Sequence, residues 1–271
     1  MAADAAWERL FYPGTQVLRN KFDERDGDIL ADTEYEITGE IYRDLVSGDI
    51  PIEGETAGQR LSFIHEILFE SIYDWAGEFR DVNMSKGGHN FGDHASMGMY
   101  MRQLDAKISR TPWTSLDFPE ALNQLAEIHT DLNFAHPFRE GNGRTSRAFM
   151  TDLAAQHGIG LNFSVIDNEQ WNKASADTFL DPDGLRLTSD PLIAVYHQIA
   201  SPSSHRDTPL ASNDPSTASL DAEIAAAIEF GRQACGTPTP HGTGQDHPQQ
   251  ANSGGYTLNI DNAYGEGLDL P

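Results

Sequence analysis

Two stretches of this chain carry apolar residues three and four positions apart: Leu61, Ile64, Leu68, Ile72 and Trp75 in one, Leu122, Leu125, Ile128 and Leu132 in the other. Helical geometry puts residues so spaced on one face, so each stretch predicts an amphipathic helix with its stripe in a core. The first is expected to end near Gly77. The second has a start signal, because Asp117 as N-cap with Glu120 three residues on has the form of a capping box. It leads into the run His136-Pro137-Phe138-Arg139-Glu140-Gly141-Asn142-Gly143-Arg144-Thr145-Ser146-Arg147. A further helix is expected from Thr145 to about His157, stopped by Gly158 and Gly160. More helices are predicted at about 24–47, 95–109, 167–179 and 190–199, the last capped by Ser189 or Asp190 with Leu192, Val195 and Ile199 as its stripe. Between Phe79 and Phe91, Lys86-Gly87-Gly88 amid Val82 and Met84 suits a hairpin instead. The expected fold class is all-α with one small β-hairpin.

Of 271 residues, 38 % are hydrophobic, enough for a sizeable core. Residues 201–271 differ: they hold half of the chain's 14 prolines and no lysine. An acidic, low-complexity segment of this kind cannot bury enough surface to offset its ordering entropy. One domain over 1–200 and a mostly disordered tail over 201–271, with one short helix at 219–230, is the expected organisation. A formal charge of −24 argues against a grip on nucleic acid or an anionic membrane, both bound mainly through lysine and arginine. It does not exclude a nucleotide, since exposed charges beyond about 8 Å are largely screened at physiological salt. The single cysteine, Cys235, rules out an intramolecular disulfide. Neither a signal peptide nor a run of about 18 apolar residues is found, so a cytoplasmic location is expected. Delivery by a specialised secretion machine is compatible with this, its address then lying in the tail.

The run that begins at His136 holds the parts of a metal-assisted phosphoryl-transfer site. Gly141 and Gly143 let backbone N–H groups approach an anion, and a helix starting there points its positive end at the same place. Arg144 and Arg147, three apart, share a helix face on which two guanidiniums hold successive phosphates. Glu140 is the natural ligand for Mg²⁺, which prefers one or two carboxylates together with substrate phosphates and water. Asn142, between two glycines, is expected to donate its amide to a phosphate. Phe138 should anchor the loop in the core. His65-Glu66 is followed by no histidine at a zincin spacing, and His129 and His136 lie seven apart across a helix end, so zinc hydrolysis has little support.

Every fixed position of this run resembles the signature of the Fic family, His-x-Phe-x-(Asp/Glu)-Gly-Asn-Gly-Arg-x-x-Arg. The resemblance extends through Tyr12-Pro13-Gly14-Thr15, Ile72-Tyr73-Asp74-Trp75-Ala76-Gly77 and the segment 82–91, covering roughly residues 7–200. It implies a Fic-type helical domain that transfers AMP from Mg²⁺-bound ATP to a Ser, Thr or Tyr hydroxyl of a target protein, releasing pyrophosphate. His136 would then be the general base. Arg144 would hold the inner phosphates and Arg147 the terminal one. The hairpin, with Val82, Asn83, Met84, Ser85, Lys86 and Gly87, would be a flap that docks the target by strand-like pairing, with His89 at the surface. Relatives that move UMP, phosphocholine or phosphate define one alternative, a catalytically silent scaffold another. Bacterial toxins of the family suggest the ATPase subunits of type II topoisomerases as targets. Many members are restrained by a helix of pattern (Ser/Thr)-x-x-x-Glu-(Gly/Asn), whose glutamate pairs with the second arginine. Ser62 to Glu66 fits its first five positions but lies in a core helix. Ser219 to Glu223 also fits, with Ile224 in place of Gly or Asn. A separate antitoxin-like protein supplying the glutamate is therefore expected, with Glu223 as the in-chain alternative.

Overall fold

A computed structural model describes residues 8–203 apart from 183, all within the first of two units, 1–236, into which the chain divides. The expected helix at 219–230 and Glu223 lie outside the described residues. Seven α-helices are present among those described: α1 (Gly27–Ser47), α2 (Ala57–Phe69), α3 (Met97–Arg110), α4 (Phe118–Ala135), α5 (Asn142–Ala155), α6 (Asn168–Ala176) and α7 (Asp190–Ile199). The strands are few and short. β1 (Ser85–Lys86) pairs antiparallel with β2 (His89–Asn90), and β3 (Ile159–Leu161) pairs antiparallel with β4 (Ala200–Pro202). The second pair was not anticipated, and it takes up residues 201 and 202, which the composition had assigned to the tail.

Local chemistry sets the helix ends. At α4, Asp117 Oδ1 accepts from Glu120 N and Glu120 Oε2 accepts from Asp117 N, both at 2.9 Å, the expected capping box. Thr56 and Gln59 form a second such box at the start of α2. α1 ends on Gly48, whose φ of 83° suits a residue without Cβ. α2 stops at Phe69, before the predicted end near Gly77. There the amides of Ile72 and Tyr73 both turn back onto the Phe69 carbonyl at 2.9 Å, and Trp75 stacks on Tyr73 at 4.4 Å. The apolar spacing beyond Phe69 comes from a chain folded onto its own helix.

α4 packs along α7, while α2 contacts α1, α3 and α5. Leu61, Ile64 and Leu68 of α2 and Leu122, Leu125, Ile128 and Leu132 of α4 are buried in one core with Phe149, Leu192 and Tyr196. Each such side chain is worth roughly 1.5–3 kcal/mol of burial. This packing fixes the angle at which α4 hands the chain to α5, and the turn between them, residues 136–141, lies where the hairpin folds over.

Candidate active site

A cavity of about 510 Å³ is enclosed by the 136–146 segment, the hairpin, α4 and α6. His136, Glu140, Asn142 and Gly143 line it from the turn, Met84, Ser85, Lys86 and Gly87 from the hairpin, and Trp171, Asn172 and Ser175 from α6.

His136 caps α4 in the left-handed region, φ 43° and ψ 62°. A side chain with Cβ held there costs on the order of 1–3 kcal/mol, and such strain clusters at functional sites. Its ring lies flat against Phe91, centroids 3.8 Å apart and planes 8° apart. Burial, then the charges of Arg80, Lys86 and Arg139, hold its pKa down to about 3 against a hydrogen bond to the Asn133 backbone that raises it. The imidazole is therefore neutral, as a proton acceptor must be.

Phe138 is fully buried and stacks on His65 at 4.0 Å. Asn142 closes the turn around it, its Oδ1 accepting from Phe138 N at 2.9 Å and its Nδ2 donating to Phe138 O at 2.7 Å. Both ends of that amide thus staple the loop, and the second N–H of Nδ2 is the donor that the expected phosphate contact would use. His65, set aside above as a zinc ligand and not otherwise singled out, is a strut beneath it. Gly77 N donates to Nδ1 at 2.8 Å, which leaves the proton on Nε2 to bond the Glu140 carbonyl at 3.1 Å. Gly141 has φ 78°, and a Cβ there would lie 2.3 Å from the Phe69 ring, so glycine is required on both counts. No side chain caps α5 at Gly141, which leaves its positive end to the cavity.

Arg144 and Arg147 of the run lie behind the cavity wall. Arg144 does not line the cavity. Its guanidinium bonds Glu34 of α1 and, at 2.9 Å, Thr38 Oγ1, and it lies over the Phe69 and Tyr35 rings. Glu34 also accepts from the Tyr73 hydroxyl at 2.5 Å. Arg147 is equally interior, over Trp171 at 5.0 Å and Phe163 at 5.6 Å. What reaches the cavity from it is charge: with burial, Arg147 lowers the pKa of His129 to about 3.

Of the six hairpin residues singled out, four face the cavity. Val82 is buried, and Asn83 Oδ1 accepts from His94 N at 3.0 Å. Gly87 and Gly88, at φ 60° and 84°, form the two-residue turn that Lys86-Gly87-Gly88 predicted. His89 is part of the cavity wall, stacked on Phe179 at 5.2 Å, where a surface position was expected.

Glu140 is the carboxylate of the cavity. One of its oxygens accepts from Gly141 N at 3.0 Å, which leaves the other for a cation. Among the described residues no group of three or more His, Cys, Asp or Glu could hold a metal. The donor set does not build a resident metal cage, but it fits Mg²⁺ that arrives on phosphates.

Residues 58–154 match the model of the Fic/DOC family. The chain is 30 % identical over 166 residues to the "Probable protein adenylyltransferase Fic" of Escherichia coli (strain K12), a match spanning 60 % of this chain and 80 % of that one. The chain belongs to the Fic family. Protein adenylyltransferase VbhT of Bartonella schoenbuchensis is also 30 % identical, over 51 % of this chain and 29 % of its own. In fold, the Fic chain is similar to the BepC effector of Bartonella tribocorum, whose crystal structure has bound AMPPNP, with TM-score 0.64, 24 % identity, and coverage of 73 % and 98 % of the two chains. The Fic chain is an enzyme of the nucleotidyltransferase class. No helix among the described residues is long and apolar enough to cross a membrane.

Proposed function

We propose that this Fic chain transfers AMP from ATP to a Ser, Thr or Tyr hydroxyl of a target protein and releases pyrophosphate. The observation that carries the proposal is that one cavity joins a neutral, strained His136, the uncapped start of α5 and the Met84–Gly87 face of the hairpin. The first-turn amides of α5 receive the phosphates. The acceptor oxygen attacks the α-phosphorus while its proton passes to the free ring nitrogen of His136. The bond from α-phosphorus to the bridging oxygen breaks, and that electron pair leaves with pyrophosphate. Mg²⁺ held at Glu140 would neutralise charge on the phosphates. An antitoxin-like protein that inserts a glutamate is proposed as the restraint, and a type II topoisomerase ATPase subunit as one target.

The test is purified chain with Mg²⁺ and ATP, UTP or CDP-choline beside a cell lysate, modified peptides being weighed by mass spectrometry. A gain of AMP on hydroxyl side chains supports the proposal; another added group, or none, refutes it. His136→Ala should lower transfer about 10²- to 10⁴-fold and leave the Kd for Mg·ATP within about threefold, since the base acts in the transition state.

A further inference from the structure

Arg80 is outside the cavity wall and only 5 % exposed. It was not selected by any sequence pattern, yet its guanidinium holds four backbone carbonyls in three places. Nε donates to His136 O at 2.7 Å, and Nη2 donates to Ala135 O at 3.0 Å and to Gly92 O. Nη1 donates to Val82 O at 2.7 Å, and the Arg80 amide donates to Pro137 O at 2.8 Å. Ala135 and His136 are the C-terminal end of α4, where carbonyls lack helical partners and the helix dipole is negative. Val82 and Gly92 are the two feet of the hairpin. A second contact joins the same pieces, since Phe91, the residue before Gly92, stacks on the His136 ring and donates its amide to Met84 O at 3.0 Å.

We propose that Arg80 is a positioning residue that couples the target-docking hairpin to the general base. A segment seated on the hairpin steadies Val82 and Gly92, and through the rigid fork it steadies the His136 backbone in its left-handed conformation. The fork is necessary. A lysine carries the same charge on one nitrogen and cannot span four carbonyls set around a plane. The inference rests on the proposed AMP transfer for the meaning of the coupling, though the coupling itself can be read without any transfer.

Arg80→Lys in the full chain, checked for folding by circular dichroism and thermal melting, should keep the Kd for Mg·ATP within about threefold. It should lower kcat for protein modification and raise the KM for the target, each about tenfold or more. A residue that merely caps α4 would lower the melting temperature and leave kcat and KM per folded molecule unchanged, which would overturn the proposal. The activity-independent reading uses Gly88→Ala, a change at the hairpin turn where φ is 84° and a Cβ meets nothing within 4 Å. In the otherwise unaltered chain it should move the His136 imidazole resonances, and in the Arg80→Lys background it should not. Unmoved resonances with Arg80 in place overturn the coupling, as does an equal shift in both backgrounds. Should Arg80→Lys fail to fold, unmoved His136 resonances in Gly88→Ala still overturn the coupling. If the chain transfers no AMP but the resonances respond as described, the functional proposal fails while the coupling stands.

Discussion

Arg144 and Arg147 share one face of α5, as their spacing demands, and that face turns inward. Helical phase decides which residues lie together but not what they lie against. Glu34 meets Arg144 from 110 positions away, and no local pattern announces such a pair. Breaking a buried ion pair leaves an uncompensated charge and costs about 3–5 kcal/mol, so Glu34→Gln should lower the unfolding free energy by about that amount in denaturant titration. The companion change, Arg144→Met, should keep the Kd for Mg·ATP within about threefold at a temperature where the variant is folded. A tenfold weaker Kd in a folded variant would return Arg144 to the phosphates.

The hairpin illustrates what a short element can encode. Its turn follows from Gly87-Gly88, because both positions need positive φ. Its register, Ser85 opposite Asn90 and Lys86 opposite His89, then sets which backbone groups face outward. With Phe91 N donating to Met84 O, the alternation of an antiparallel pair points the N–H and C=O of Ser85 away from β2. The outward amide of Asn90 on the other strand is already taken by Pro182 O at 2.9 Å. The open edge therefore lies at Ser85, and strand addition there would use its backbone. Ser85→Pro deletes the outward donor and should abolish modification of protein while slow ATP hydrolysis continues. Intact protein modification, measured by incorporation of labelled AMP, would remove the β1 edge as the dock.

Three histidines, His65 and His129 in the core and the half-buried His136 of the cavity, have their pKa values lowered to about 3, loss of solvent around the ring being the largest cause in each. His129 Nδ1 is hydrogen-bonded to the Tyr196 hydroxyl at 2.9 Å, joining α4 to α7. The unfolded chain takes up a proton on each near pH 6.5, and the folded chain does not until about pH 3. Their contribution to stability is therefore full above pH 6.5 and is lost as pH falls through that window. Each histidine adds a slope of about 1.4 kcal/mol per pH unit. His129→Gln should flatten the wild-type slope between pH 6 and 4 by about one proton, read from denaturant midpoints at each pH. An unchanged slope would mean that His129 is charged in the folded protein.

The sequence by itself determined the helices, the capping box of α4, the hairpin turn and the family, because each rests on residues a few positions apart whose backbone preferences are local. It also placed His136, Glu140 and the Met84–Gly87 segment in one site, which the cavity brings together. Only the tertiary structure decided the rest. It turned the Asn142 amide onto the Phe138 backbone, sank Arg144 onto Glu34 and Arg147 onto Trp171, and ran Arg80 between hairpin and helix end. It also ended α2 at Phe69 and paired β3 with β4. In every one of these the deciding partner is distant in sequence or faces a direction set by how whole helices pack. Burial then requires each polar group to find that partner, since a buried donor or charge left unmatched costs more than any local preference supplies.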